Sequence, residues 1–342
     1  MNQRGFASDN FSGVLPEVME AIQKVNYGHS MAYGGDPYTA SAIEKFKQLF
    51  GENIDVYFVF NGTGANVIGL STLTQSWNSV ICPSTAHIQV DECGAPDKIT
   101  GCKFIPIEVT DGKLTPDLIK SQLHGFGFEH HSQPKVISIT QFTELGTVYT
   151  PEEVKAICDL AHEHDMYVHM DGARLANAVA SLDVDVREIT NKAGVDVLSF
   201  GGTKNGMMLG EAVIFFNPEL SKNTKYVRKQ SMQLCSKMKY IACQFEALLT
   251  NDLWLKTARH ANKMAKLLEA EVKNIDAVQI TQKVQTNGIW AIISKDKIEA
   301  LQNDYFFWVW DEHTGEVRWL CSFDTTEEDI KGFVALLKKQ LC

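Results

Sequence analysis

The stretch Val195-Asp196-Val197-Leu198-Ser199-Phe200-Gly201-Gly202-Thr203-Lys204-Asn205-Gly206 runs from an apolar segment straight into a glycine-flanked turn that carries a lysine. Val197–Phe200 has the length and composition of a buried strand. An amine at the end of such a strand is poorly placed for a surface charge and well placed to meet a bound carbonyl compound. Thirty-three residues upstream, Asp171-Gly172-Ala173-Arg174 ends a second apolar run, Met166–Met170. In open α/β sheets ligands collect at the carboxyl ends of the strands, so one mouth can receive both Lys204 and Asp171.

Outward from these two strands, apolar runs alternate with amphipathic ones. Strands are expected at Val56–Phe60, Ser79–Cys82, Phe104–Ile107, Val136–Thr140, Met166–Met170, Val197–Phe200 and Ala212–Phe216. Helices are expected at Ala65–Leu73, Pro116–Leu123 and Pro151–His164. The last opens on Thr150-Pro151-Glu152-Glu153, an N-cap, a proline at the first helical position and two acids in the first turn. This alternation predicts an α/β fold with a mostly parallel seven-stranded sheet between helices.

After Asn217 the pattern changes. Long helices are expected over Thr224–Thr250 and Asp252–Asn274. Short strands follow at Val278–Ile280, Ile289–Ile293, Phe307–Trp310 and Val317–Leu320, and a last helix starts at Glu327. The expected organisation is an N-terminal segment, 1–30, bridging two domains, a large domain over 31–245 and a smaller α+β domain over 246–342.

Composition narrows the function class. A net charge of −10 without clustered Lys and Arg excludes a general nucleic-acid binder. The eight cysteines are scattered, with no C-x-x-C and no zinc-like pairing with histidine, as expected for reduced thiols and no metal centre. No run of about 18 apolar residues is available to span a bilayer, and no targeting signal opens the chain. The expectation is a soluble cytoplasmic protein.

Other residues gather around the same mouth. Gly62-Thr63-Gly64-Ala65-Asn66 follows a strand and opens a helix, either as an ordinary turn or as a phosphate cradle of free amides, helix dipole and the Thr63 hydroxyl. It lacks the spacing of a Walker or dinucleotide loop. His87 follows the next strand and either stacks on a flat ring and relays a proton or is an ordinary histidine, with Asp91 and Glu92 one turn on as orienting acids or solvated ones. Asp171 reads as a helix N-cap or as an anionic partner for a ring nitrogen. Arg318, in the apolar strand Val317–Leu320, is either a strand arginine facing solvent or, costly unless paired, a bidentate grip on a carboxylate. A strand-end Lys, a strand-end Asp and a phosphate cradle are the parts that pyridoxal 5'-phosphate (PLP) requires.

In this order the motifs resemble those of the threonine aldolase group of PLP enzymes, close to the β-eliminating lyases and within the aspartate-aminotransferase-like fold (fold type I). The resemblance covers nearly the whole chain. It implies a cytoplasmic homotetramer, a dimer of dimers, that cleaves L-threonine, L-allo-threonine and related β-hydroxy-α-amino acids to glycine and an aldehyde. By resemblance Lys204 is the Schiff-base lysine, Asp171 the partner of the pyridine nitrogen and Arg174 a guanidinium near the phenolic oxygen. Gly62, Thr63 and Gly64 hold the phosphate, with Arg228 and Lys237 as basic candidates beside it. His87 stacks on the ring. Ser8, in Ser8-Asp9-Asn10, and Arg318 hold the substrate carboxylate. Tyr33, in Tyr33-Gly34-Gly35-Asp36-Pro37, reaches the site of a neighbouring subunit.

The sequence departs from the group where some members carry a second active-site histidine. Here the segment is Gln141-Phe142-Thr143-Glu144-Leu145-Gly146, with Glu144 in that place. The base at the substrate hydroxyl is therefore His87, a water held by it, or Glu144. Two rival readings stay open: another fold-type-I lyase acting by β-elimination, and a non-catalytic PLP-binding protein.

Overall fold

A computed structural model describes residues 4–341. Seven strands form the large sheet: β1 (Asp55–Val59), β2 (Asn78–Pro83), β3 (Lys103–Ile107), β4 (Gln133–Thr140), β5 (Tyr167–Gly172), β6 (Val197–Gly201) and β7 (Glu211–Phe215). Their order is β1-β7-β6-β5-β4-β2-β3. Pairing is parallel from β3 through β6, and β7 runs antiparallel to both β6 and β1. The α/β expectation therefore holds, with strand limits within a few residues of those read from the sequence. Because β7 is reversed, its first residue, Glu211, lies across from Val59 and Gly201, at the edge where the parallel strands end.

The central stretches of the strands are continuously apolar because both faces are covered, which removes the alternation seen in half-exposed sheets. β2 and β7 are buried at every residue. Phe200 of β6 is fully buried among Phe46, Phe50, Phe245 and Trp254, and each such ring stabilises the fold by about 1.5–3 kcal/mol. The helix Pro151–Glu163 starts with a reciprocal capping box between Thr150 and Glu153.

A four-stranded antiparallel sheet follows, with β8 (Gln279–Ile280), β9 (Gly288–Ile292), β10 (Trp308–Asp311) and β11 (Glu316–Leu320) in the order β10-β11-β9-β8. It packs on the helix Glu327–Leu341 over its own core, which includes Trp319, Phe307 and Phe333. The helix Leu253–Val272 serves both cores: Trp254 and Ala258 belong to the large one, Met264 to Val272 to the small one. Near the start of the chain, Phe6 is buried in the small core while Leu15 and Val18 lie in the large one. Residues 1–3, the start of the expected bridging segment, lie outside the described residues, as does Cys342.

The single helix expected over Thr224–Thr250 is two helices, Thr224–Gln230 and Lys239–Leu249. Met232 takes a left-handed φ of 60°. No glycine or proline marks this break. It exists because Gln233 turns back to the large sheet, where its Oε1 accepts from the Phe60 amide at 2.9 Å and its carboxamide covers Gly64. The other seven cysteines are free thiols. No helix among the described residues is long and apolar enough to cross a membrane.

Candidate active site

The ends of five strands of the large sheet meet in one cavity lined by Gly62, His87, Glu144, Asp171, Arg174 and Lys204, and closed on the far side by Trp310 and Arg318 of the small sheet. Lys204 stands in a short 3-10 turn, Thr203–Asn205, that the glycines permit: Gly206 takes a left-handed φ of 99°, and a Cβ on Gly201 would strike the Ala173 backbone. Behind the turn, Glu211 accepts from the Gly202 amide at 2.5 Å. Burial pushes the Glu211 carboxyl up to about 7. The Lys204 amine makes no ion pair among the described residues. Burial, reinforced by the Arg174 charge, pulls it below the usual lysine range and so favours the neutral, nucleophilic form.

Asp171 is the next-to-last residue of β5, beside Thr140 of β4. It is not a helix N-cap, since the following helix, Leu175–Leu182, begins after Arg174. Burial alone would raise its pKa. The charges of His87 and Lys204, with hydrogen bonds from Asn66 and the Ala173 amide, outweigh burial and hold the carboxyl ionised. Asn66 Nδ2 donates to Asp171 Oδ2 at 2.8 Å and to Glu92 Oε1 at 2.8 Å. Glu92 in turn meets His87 Nδ1 at 2.8 Å. Of the two acids after His87, Glu92 is therefore the orienting one, and its hydrogen bond raises the His87 pKa. Ligating atoms of His87, Glu92 and Asp171 lie within 4.8 Å of one another, but the Asn66 amide already bridges the two carboxylates.

The helix Gly62–Leu73 points its N-terminus into the cavity. Asn61 Oδ1 caps the Gly64 amide at 2.8 Å, and the Asn61 carbonyl takes the Ala65 amide at 3.0 Å. Nothing lies within 4 Å of where a Cβ on Gly62 would project, so an anion can approach the first turn. With Asp171 ionised at the other end and Lys204 between, these residues fit a phosphorylated pyridine aldehyde.

Arg174 is held by Asp9, with Nε to Oδ2 at 2.6 Å and Nη2 to Oδ1 at 2.7 Å, and its guanidinium lies 5.7 Å from the Phe142 ring centroid. Arg318 has no carboxylate partner among the described residues. Its Nη2 reaches only the Ala7 carbonyl at 3.3 Å, its buried Nε is unbonded, and it stacks over Trp310 at 5.3 Å. Burial, with the nearby Arg174 charge, lowers its pKa to about 10. A buried cation left in this state is a receptor for an anion. Ser8 lies beside it on the outer wall shared with Lys204 and Arg318.

Of the predicted residues, Thr63, Gly64, Ser8, Arg228, Lys237 and Tyr33 do not line this cavity. Arg228 donates to the Phe58 carbonyl at 3.2 Å and packs over Tyr57, on the β1 side of the helix N-terminus. Lys237 is exposed in the break between the two helices and does not line the cavity. Tyr33 is 55% exposed with a left-handed φ of 58°, its amide bonded to the Ser236 carbonyl. Sequence reasoning missed Asn66, Asp9, Glu211 and Trp310. Asp9 and Asn66 stand inside motifs read from the sequence but were given no role there; Glu211 and Trp310 had no signal.

Comparison with known proteins agrees with this geometry. The beta-eliminating lyase family model matches residues 5–295. A low specificity L-threonine aldolase from Pseudomonas sp. (strain NCIMB 10558) is 44% identical over 331 residues, 96% of each chain. The solved threonine aldolase of Leishmania major superposes with a TM-score of 0.94 at 31% identity, covering 99% of this chain and 100% of that one. A Thermus thermophilus aspartate aminotransferase shares the fold, with a TM-score of 0.72 at 15% identity over 99% of this chain and 96% of that one. The chain belongs to the beta-eliminating lyase family, in its threonine aldolase group.

Proposed function

We propose that this protein is a PLP-dependent aldolase that cleaves L-threonine, L-allo-threonine and related β-hydroxy-α-amino acids to glycine and an aldehyde. The observation that carries the reading is the unpaired Arg318 facing the same cavity as the strand-end pair Lys204 and Asp171, so that an α-amino acid's carboxylate and amine each have a counterpart. PLP, when bound, supplies an electron-accepting ring that takes up the bonding pair of the Cα–Cβ bond.

The residues divide the remaining work. Lys204 offers the neutral amine that holds the cofactor's carbonyl carbon. Asp171, kept ionised, favours a protonated pyridine nitrogen. Gly62 and Thr63 offer the phosphate a helix N-terminus, with Arg228 nearby, while Asn61 already caps the Gly64 amide. His87, fixed by Glu92, presents an imidazole face to the ring. Arg318 and Ser8 hold the substrate carboxylate and so set which bond at Cα stands perpendicular to the ring, which selects cleavage at Cβ. Trp290, Trp310 and Phe142 keep bulk water from the reacting atoms.

In this reading the enzyme works in the cytoplasm as a homo-oligomer, a dimer of dimers. Tyr33, exposed beside the exposed Met31, extends to the site of a second copy, and Lys237 completes the phosphate side there.

The test is an absorbance spectrum of purified protein with PLP, before and after L-threonine and L-allo-threonine, with aldehyde assayed alongside. The expected result is a visible band that Lys204→Ala abolishes, and acetaldehyde from both isomers. Pyruvate released from cysteine without aldehyde from threonine would instead identify a β-eliminating enzyme.

A further inference from the structure

We propose that Glu144 carries the β-hydroxyl proton of the substrate, its free oxygen Oε2 accepting that proton as the Cα–Cβ bond breaks; the inference rests on the aldol reading above. Glu144 sits in the loop after β4, and Oε1 is fully engaged, accepting from Thr140 Oγ1 at 2.7 Å and from the His87 amide at 2.9 Å. Two donors on one oxygen fix the carboxyl group in place. Oε2 is shut off from solvent and has no partner among the described residues, although Glu144 lines the cavity that holds Lys204 and Arg318. A buried carboxylate oxygen without a donor costs stability. Glu92 Oε2 in the same cavity is in that state too, but its carboxyl already serves Asn66 and His87, which leaves Glu144 as the carboxyl free to meet a donor from the substrate. A substrate hydroxyl is such a donor.

His87 is the competing group: Glu92 holds its Nδ1 and raises its pKa, which leaves Nε2 as the ring nitrogen that could take the proton, so Glu144 variants must tell the two apart. Glu144 is faced by Cys82 on β2, His87, Tyr149, Asp171 on β5 and Arg174. Among these influences burial dominates and pushes the Glu144 carboxyl up to about 7. Near neutral pH it therefore exists in both forms, the condition in which a group takes up and returns a proton with little driving force.

The electron count closes. The O–H bond breaks and its proton goes to Oε2, while the O–H pair becomes the second bond of the aldehyde carbonyl. The Cα–Cβ pair stays with the glycine fragment, which later takes a proton at Cα. In the synthetic direction Glu144 returns its proton to the aldehyde oxygen.

Glu144→Gln in the holoenzyme separates the steps. The kcat for L-threonine cleavage is expected to fall about 10²- to 10⁴-fold, the range of a lost general base. The rise of kcat near neutral pH should vanish with it, and Glu144→Asp should restore part of the rate. Exchange of the glycine α-hydrogen with deuterated solvent, followed by NMR, involves no hydroxyl and should stay at the wild-type rate. Infrared titration of the cofactor-free protein should show a carboxyl that ionises near neutral pH and is missing from Glu144→Gln. Unchanged cleavage and pH profile in Glu144→Gln would overturn the proposal, and so would loss of glycine exchange in proportion to cleavage. A wild-type enzyme that releases no aldehyde would sink the aldol reading first, and this inference with it.

Discussion

Asp9→Asn isolates the contact that ties the start of the chain to the active site. Asp9 is 4% exposed and holds Arg174 through two short hydrogen bonds, 2.6 and 2.7 Å, across 165 residues of sequence. Burial pushes the Asp9 carboxyl up, but the charge and hydrogen bonds of Arg174, with Lys204 and Arg318 beyond, outweigh it and hold the carboxyl below the usual range. Removing the negative member leaves Arg174 buried without its hydrogen-bonded carboxylate and beside the Arg318 charge. Breaking a buried pair in this way costs about 3–5 kcal/mol, against roughly 0–1 for an exposed pair. The assay is urea unfolding of wild type and variant at a series of pH values.

The sign is fixed by the direction of the shift. A carboxyl with a depressed folded-state pKa stabilises fully above its unfolded value of about 3.9 and loses that contribution as pH falls through the folded value. The gap between wild type and Asp9→Asn should therefore be complete at pH 7 and close below about pH 4. Loss of the Asp9 charge should also pull the Lys204 pKa down further, since Asp9 is one of the charges that support it. A gap under about 1 kcal/mol at pH 7 would refute the argument, because the pair would then behave as an exposed one.

Two further outcomes follow from the same geometry. Arg318→Leu removes a charge that finds only the Ala7 carbonyl, so KM for L-threonine should rise about 10- to 100-fold, in line with about 1.5–3 kcal/mol for a hydrogen bond to a charged group. The substrate-free protein should keep or gain stability, and an unchanged KM would place the carboxylate elsewhere. Glu92→Gln takes away the hydrogen bond that most raises the His87 pKa, so NMR titration of that ring should show its midpoint falling below the wild-type value. An unshifted midpoint would mean that Asp171, not Glu92, sets the charge of His87.

The residues legible in the sequence are those whose signal is local. Lys204, Asp171 and Gly62 each follow a short apolar run with a glycine in the turn, and a pattern of that range survives without knowledge of the neighbours. Arg318 was legible for the opposite reason: a charge amid apolar residues has to be answered by something. The helix break at Ser231–Met238 was not legible, because it is driven by the reach of Gln233 to Phe60, 173 residues away.

The sequence by itself thus determined the α/β class, the strands and the residues that end them, because periodicity and turn chemistry act over a few residues. Only the tertiary structure decided which charges meet. Among the described residues it paired Arg174 with Asp9, left Arg318 without a carboxylate and left one oxygen of Glu144 without a donor, and it reversed β7 so that Glu211 stands behind the Lys204 turn. Those outcomes depend on distances between segments far apart in the chain. In a buried site with few donors, such distances set which groups stay charged and which wait for a ligand.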